Sequence, residues 1–250
     1  MLFLLLPLVV QAESYGWGYK KSNNHQPPDV GKYEEILKKY GGFYLDTSGD
    51  KTIYLTFDNG YEKGHTGKIL DVLKEKKVPA AFFVTGHYIE TSSELVKRMV
   101  NEGHIVGNHS YHHPDLTTIS KQKMKTELER LEKGVAAITE HDSMHYIRPP
   151  RGTFSEQTLT WANELGYTHV FWSLAFVDWN TDKQKGWKSS YQQVMDQVHP
   201  GAVILLHTVS KDNAEALEHL IDELRRQGYT FKSLDDLVMK NILPPAVLGF

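Results

Sequence analysis

Two imidazoles four residues apart, His109 and His113 in His109-Ser110-Tyr111-His112-His113, have a spacing that on a helical turn brings two nitrogen donors to one side. That spacing is common at metal ions, and it also occurs where one histidine caps a turn and the other is a satisfied polar group. Asp58, in Thr56-Phe57-Asp58-Asn59-Gly60, puts a carboxylate at the end of an apolar run, where it can serve as a general base or cap the next helix. Its neighbour is Asn59, where a second carboxylate would have made a charged metal ligand. His207 ends another apolar run and could be a core histidine bonded to backbone, and Asp178, before Trp179, could brace a loop; both fall where polar residues cluster near strand ends. Arg148, in Arg148-Pro149-Pro150-Arg151-Gly152, needs a carboxylate partner if it is buried.

These residues gain meaning from the elements that must hold them. Short apolar runs at 52–57, 80–85, 104–108, 146–148, 169–173, 202–206 and 229–232 read as strands. Helical periodicity falls between them, at 65–77, 92–102, 121–139, 155–165, 190–198 and 213–227, the last followed by Gly228 as a helix C-terminus should be. Seven strands alternating with helices predict right-handed βαβ units and a parallel sheet, open or closed into a barrel. Asp58, the histidine cluster, Arg148 and His207 then sit at successive strand ends, with Asp178 shortly after another. That carboxyl-terminal rim is where parallel α/β barrels carry their chemistry.

The chain divides by composition into an apolar leader at 1–12, an arm at 13–50 rich in Gly, Pro, Asn and aromatics, a catalytic domain at 51–240 and a tail at 241–250. A short helix is expected in the arm at about 33–39. The leader is too short to span a bilayer, which takes about 20 residues. Val10-Gln11-Ala12 offers small residues at the positions a signal peptidase reads, so export with cleavage after Ala12 is expected. No later segment reads as a membrane span. A formal net charge of -3 gives no case for nucleic acid, and the absence of cysteine excludes disulfides and thiolate metal sites.

Taken in order, the motifs resemble those of the polysaccharide deacetylases, the NodB-homology carbohydrate esterases, over about residues 51–240. Thr-Phe-Asp-Asn-Gly stands for the family's Thr-Phe-Asp-Asp-Gly, and His109 to His113 match its His-(Ser/Thr)-x-x-His. Arg148-Pro149-Pro150 is followed by Arg151 where the family has an aromatic; Asp178-Trp179 and Leu205 to His207 complete the set. The resemblance implies an α/β fold, a distorted seven-stranded (β/α) barrel. Within the family the likeness narrows to the Bacillus-type de-N-acetylases that make muramic δ-lactam in spore-cortex peptidoglycan. Trp17-Gly18, Asn24-His25-Gln26-Pro27-Pro28, Ala175 to Trp179 and His207-Thr208-Val209-Ser210 carry that narrower match.

The resemblance further implies the reaction, which is hydrolysis of an N-acetyl amide on a sugar of peptidoglycan glycan strands, by a monomer that needs no organic cofactor. It implies roles as well. Asp58 is the general base, Arg148 holds it ionised, His207 donates a proton to the departing amine, and Asp178 raises the pKa of His207. By the same likeness, zinc or a similar divalent metal is expected on His109 and His113, weakly held because Asn59 offers an uncharged amide oxygen. A metal-independent site with both histidines as hydrogen-bond donors is the competing expectation. The backbone N–H of Arg151 is expected to stabilise the oxyanion, and its guanidinium to select the lactyl carboxylate of a muramoyl residue. Trp179, with Trp17, Tyr19 and Trp187, is a candidate for stacking on sugar. Deacetylation of chitin-like chains and silent glycan binding are the alternatives; retention of both an acid and a base speaks against the second.

Overall fold

Thr52-Ile53-Tyr54-Leu55-Thr56-Phe57 carries no charge before Asp58, so it can be buried on both faces, as a central parallel strand requires. The computed structural model of the protein describes residues 13–21, 24–140 and 143–242. The leader at 1–12 and most of the tail, 243–250, therefore lie outside the described residues.

The strands in chain order are β1 Tyr15–Gly16, β2 Thr52–Asn59, β3 Ala80–Val84, β4 Ile105–Asn108, β5 Tyr146–Ile147, β6 Thr153–Phe154, β7 Thr168–His169, β8 Val203–His207 and β9 Thr230–Phe231. The helices are α1 Tyr33–Tyr40, α2 Thr66–Lys76, α3 Gly86–Thr91, α4 Ser93–Asn101, α5 Lys121–Thr139, α6 Glu156–Glu164, α7 Trp187–Met195, α8 Lys211–Arg226 and α9 Leu234–Ile242. Seven strands form one parallel sheet in the order β7-β5-β4-β3-β2-β8, with β9 pairing the start of β2. The sheet curls until its ends meet. Leu174, beyond β7, bridges Ile204 of β8, and Leu205 N–H donates to Leu174 O at 2.9 Å. This is the expected distorted barrel.

Alternation along β2 sorts the core into layers. Ile53, Leu55 and Phe57 pack outward against the helices, while Tyr54 joins Ala81, Phe83 and Val203 within the curl, where α9 contributes Leu234 and Leu237. The arm is part of the same body. Trp17, Leu37 and Tyr44 pack with Phe154, Leu159 and Phe171, and Phe43 bridges Val170 beside the sheet's edge. Trp17 is thus a core residue, and Trp187 stacks one face on His219, with ring centres 4.3 Å apart. Two helices escaped the sequence pattern: α3, too short for a periodic signal, and α9, which runs through the expected boundary at residue 240. Among the described residues no helix is long and apolar enough to cross a membrane.

Candidate active site

Register brings the first two groups together. Asp58 of β2 lies beside His207 of β8, and next to Phe83 of β3 on its other side. Aligned neighbours in a parallel sheet share a face, so both side chains point to the rim of the curl. They line a cavity of about 840 Å³ with His109, His113, Arg151 and Trp179.

Arg148, just past β5, is fully buried beneath this cavity. Its Nη1 donates to Asp58 Oδ1 at 2.8 Å, Nη2 to Thr56 Oγ1 at 2.9 Å, and Nε to Val170 O at 3.1 Å. The guanidinium lies 4.2 Å from the centre of the Phe83 ring. Burial alone pushes the Asp58 carboxyl up, but the charge of Arg148, with that of His207 adding to it, outweighs burial and holds it below the usual carboxylate range. One oxygen of Asp58 is therefore clamped, and Oδ2 is left toward the histidines.

The histidine motif follows β4 in a loop, not on a helical turn as its spacing suggested. Ser110 and His113 both take left-handed backbone, with φ of 62 and 56, and this folds the two imidazoles to 4.9 Å between ring centres. Buried Glu127 of α5 fastens the loop, accepting from His112 N at 2.7 Å and pairing with His112 Nδ1 at 2.8 Å. His109 Nδ1 stands 2.8 Å from Arg148 O; a carbonyl can only accept, so Nδ1 carries the proton. Burial pushes the pKa of His109 down despite Asp58, leaving a neutral ring whose Nε2 has a lone pair 3.5 Å from Asp58 Oδ2. Burial, with neighbouring His109 and the Arg151 guanidinium, pushes His113 down to about 4.

Asn59, expected to complete a metal set with these histidines, is not brought to them. It is the next residue on the strand after Asp58, so its side chain leaves on the opposite face, where Nδ2 donates to Thr208 Oγ1 at 2.8 Å. It does not line the cavity, and its buried Oδ1 has no hydrogen-bond partner. Among the described residues no three His, Cys, Asp or Glu side chains are grouped to hold a metal. The fit to a divalent cation thus rests on two neutral nitrogens. A lone pair facing an ionised carboxylate is a pairing that a cation or a water proton relieves.

Asp178 is buried behind His207. Its Oδ1 accepts from His207 Nδ1 at 2.7 Å, and its Oδ2 accepts from His207 N at 2.8 Å and Asn213 Nδ2 at 2.5 Å. Burial pushes His207 down, but the Asp178 carboxylate, by charge and hydrogen bond, outweighs it and raises the pKa. Trp179, half-exposed, sets its ring 5.3 Å from that of His207. Arg151 is exposed on the cavity wall, held in left-handed backbone with φ 60. Gly152 beside it has φ 68, and a Cβ there would meet Trp172 at 2.9 Å. Sequence reasoning gave no role to Thr56, Glu127 or Asn213, which hold Arg148, the histidine loop and Asp178 in turn. Glu127 and Asn213 lie on ordinary helix patterns with no local signal, while Thr56 stands within the Asp58 motif. It also missed Arg130, a cavity-wall residue stacked 3.8 Å from the Tyr111 ring centre.

Comparison with known proteins finds both a family and similar solved folds. The polysaccharide deacetylase family model matches residues 46–170. The peptidoglycan-N-acetylmuramic acid deacetylase PdaA of Bacillus subtilis is 54% identical over 232 residues, 92% of this chain and 88% of that protein. The solved structure of that protein, a family 4 carbohydrate esterase, superposes with a TM-score of 0.90 over 92% of this chain and 98% of the other. A peptidoglycan-N-acetylglucosamine deacetylase of Bacillus cereus is 32% identical over 205 residues, 80% of this chain and 73% of that protein.

Proposed function

Since the chain belongs to the polysaccharide deacetylase family, we propose that it removes the acetyl group from N-acetylmuramic acid residues of peptidoglycan glycan strands. It is a hydrolase of a carbon–nitrogen amide bond, and its product amine is the precursor of the muramic δ-lactam of spore cortex. The observation that carries the reading is the pairing of Asp58 with Arg148 and of His207 with Asp178 on one rim of one cavity. The muramic substrate is favoured over glucosamine by the 54% identity to the muramic enzyme against 32% to the glucosamine enzyme.

In the mechanism, Asp58 Oδ1 is fixed by Arg148, and Oδ2 takes a proton from the attacking water. A carboxyl held below its usual range stays ionised but is a weak base, so that water needs acidifying. A divalent ion on His109 and His113 would supply that as a Lewis acid, and would polarise the acetyl carbonyl. His207 enters the cycle protonated, with Nδ1–H held by Asp178 and Nε2–H directed to the amide nitrogen. As the tetrahedral intermediate collapses, the carbon–nitrogen bond breaks and that proton leaves with the amine. The Arg151 N–H is the proposed oxyanion donor. One chain supplies the whole cavity, so a monomer suffices, and a cell-wall substrate fits export through residues 1–12.

The test is acetate release from peptide-free glycan strands. Asp58→Ala should abolish it; undiminished release would overturn the assignment. Activity should fall on chelation and return with excess divalent metal, whereas full activity in protein shown metal-free by elemental analysis would remove the metal from the scheme.

A further inference from the structure

A second cavity of about 610 Å³ adjoins the first, and the two share Trp172, Trp179 and Leu205 along their common edge. Its wall includes Trp17 and Tyr19 from the arm, so one side of it is formed by the packing of the arm on the barrel. Three exposed lysines from two separate segments line it: Lys21 from the arm, and Lys183 and Lys185 from the loop after Trp179. None of the three ammonium groups is in an ion pair among the described residues. The two carboxylates at this cavity are already engaged. Asp178 holds His207 and Asn213, while Asp212 Oδ2 accepts the N–H groups of Lys185 and Gly186, each at 2.8 Å.

The lysine-bearing loop is also held in place. Gln184 Nε2 donates to the backbone oxygens of Asp178 and Asn180, each at 3.1 Å, and its Oε1 accepts from Ser210 Oγ at 2.8 Å. Lys183 and Lys185, on either side of Gln184, are therefore carried by ordered backbone. An aromatic ridge leading from the reactive cavity into a lysine-lined groove suits a sugar polymer bearing carboxylates at intervals.

We propose that this groove is a remote subsite for the same glycan strand, in which Lys183 and Lys185, with Lys21, bind the carboxylate of a muramoyl unit that is not the one being deacetylated. The proposal rests on the peptidoglycan reading above, and it adds a dependence on chain length and charge. A strand long enough to pass over Trp179 gains contacts that a short one cannot reach. A neutral N-acetylglucosamine chain gains only the stacking part.

The test compares wild type with the Lys183→Gln/Lys185→Gln and Lys183→Arg/Lys185→Arg double variants on peptide-free muramoyl-containing strands of increasing length, and on neutral chitooligomers of matching length. For the wild type, kcat/KM on the muramoyl series should rise about tenfold from the shortest to the longest, the scale of one or two exposed ion pairs added to a stacked sugar. The glutamine variant should reduce that gain to about twofold to threefold, and the arginine variant should keep it. On the neutral series the glutamine variant should match wild type. An unchanged length gain in the glutamine variant, or an equal loss on the neutral series, overturns the proposal. Calorimetric binding of the longest muramoyl strand reads the groove separately from turnover. If wild type releases no acetate yet binds that strand more tightly than the glutamine variant, the activity reading fails and the subsite stands; equal binding overturns the subsite.

Discussion

Arg148 illustrates how much rests on one side chain. It is fully buried, and it meets one carboxylate, one hydroxyl and a backbone carbonyl at 3.1 Å or closer. Removing it leaves the Asp58 charge buried without a partner. Arg148→Ala should cost about 3–5 kcal/mol of stability, read by urea unfolding. Where the variant still folds, activity should fall by at least about a hundredfold. In the proposed mechanism His207 sets the alkaline limit of turnover, because it must hold its proton at the start of the cycle. Its pKa is raised chiefly by Asp178 acting against burial, with Asp58 adding to the rise and Arg148 opposing it. Asp178→Asn removes the raising charge but keeps the shape. The protonated form is then lost at lower pH, and the alkaline limb of the kcat profile should move down; an unmoved limb would assign that limb to another group. Arg151→Ala, assayed on muramic and glucosamine oligomers, should lose more on the muramic series, since a forked guanidinium is matched to the lactyl carboxylate.

Among the elements, β4 shows how a strand can act at a distance from the chemistry. Its Gly107 pairs with Phe83, and a Cβ at that position would lie 2.5 Å from the Phe83 ring. That ring is the surface against which the Arg148 guanidinium rests. Gly107→Ala should therefore destabilise the protein by about 1–3 kcal/mol and push Phe83 into Arg148. The accompanying expectation is a fall in kcat with KM nearly constant, measured on glycan strands. The loop after β4 depends on α5 in the same way. Without Glu127 the backbone N–H of His112 has no buried acceptor, and the left-handed turn that pairs His109 with His113 loses its brace.

For the whole molecule, the arm and barrel behave as one body. Phe43 N–H donates to His169 O at 3.0 Å and Phe43 O accepts from Phe171 N–H at 2.8 Å, so the arm takes the place of a strand where the sheet closes. Trp17 adds a hydrogen bond from Nε1 to Trp172 O at 3.0 Å and one from its backbone N–H to Gly152 O at 2.8 Å. Protein beginning at residue 51 should accordingly fail to give a cooperative unfolding transition, while protein beginning at Glu13 should unfold in a single step. Loss of the arm also removes part of the second groove, which ties the chain-length response to the same packing.

The sequence by itself determined the strand-and-helix order, the seven parallel strands and the family, and it marked Asp58, Arg148, Asp178 and His207 as the candidate acid–base set. Those features are written locally, in hydrophobic period and in motifs at strand ends. The short α3 and the two-residue β1–β6 pair carried too few residues for a period to appear. Strand alternation sends Asn59 to the face opposite Asp58, but only the tertiary structure decided what it meets there, by bringing Thr208 to it. It likewise decided that Trp17 is core, that two left-handed residues rather than a helix bring the histidines together, and that Lys21 meets Lys183 and Lys185 at one groove. Each of these depends on contacts between residues distant in the chain, or on backbone angles that the residue types alone do not favour.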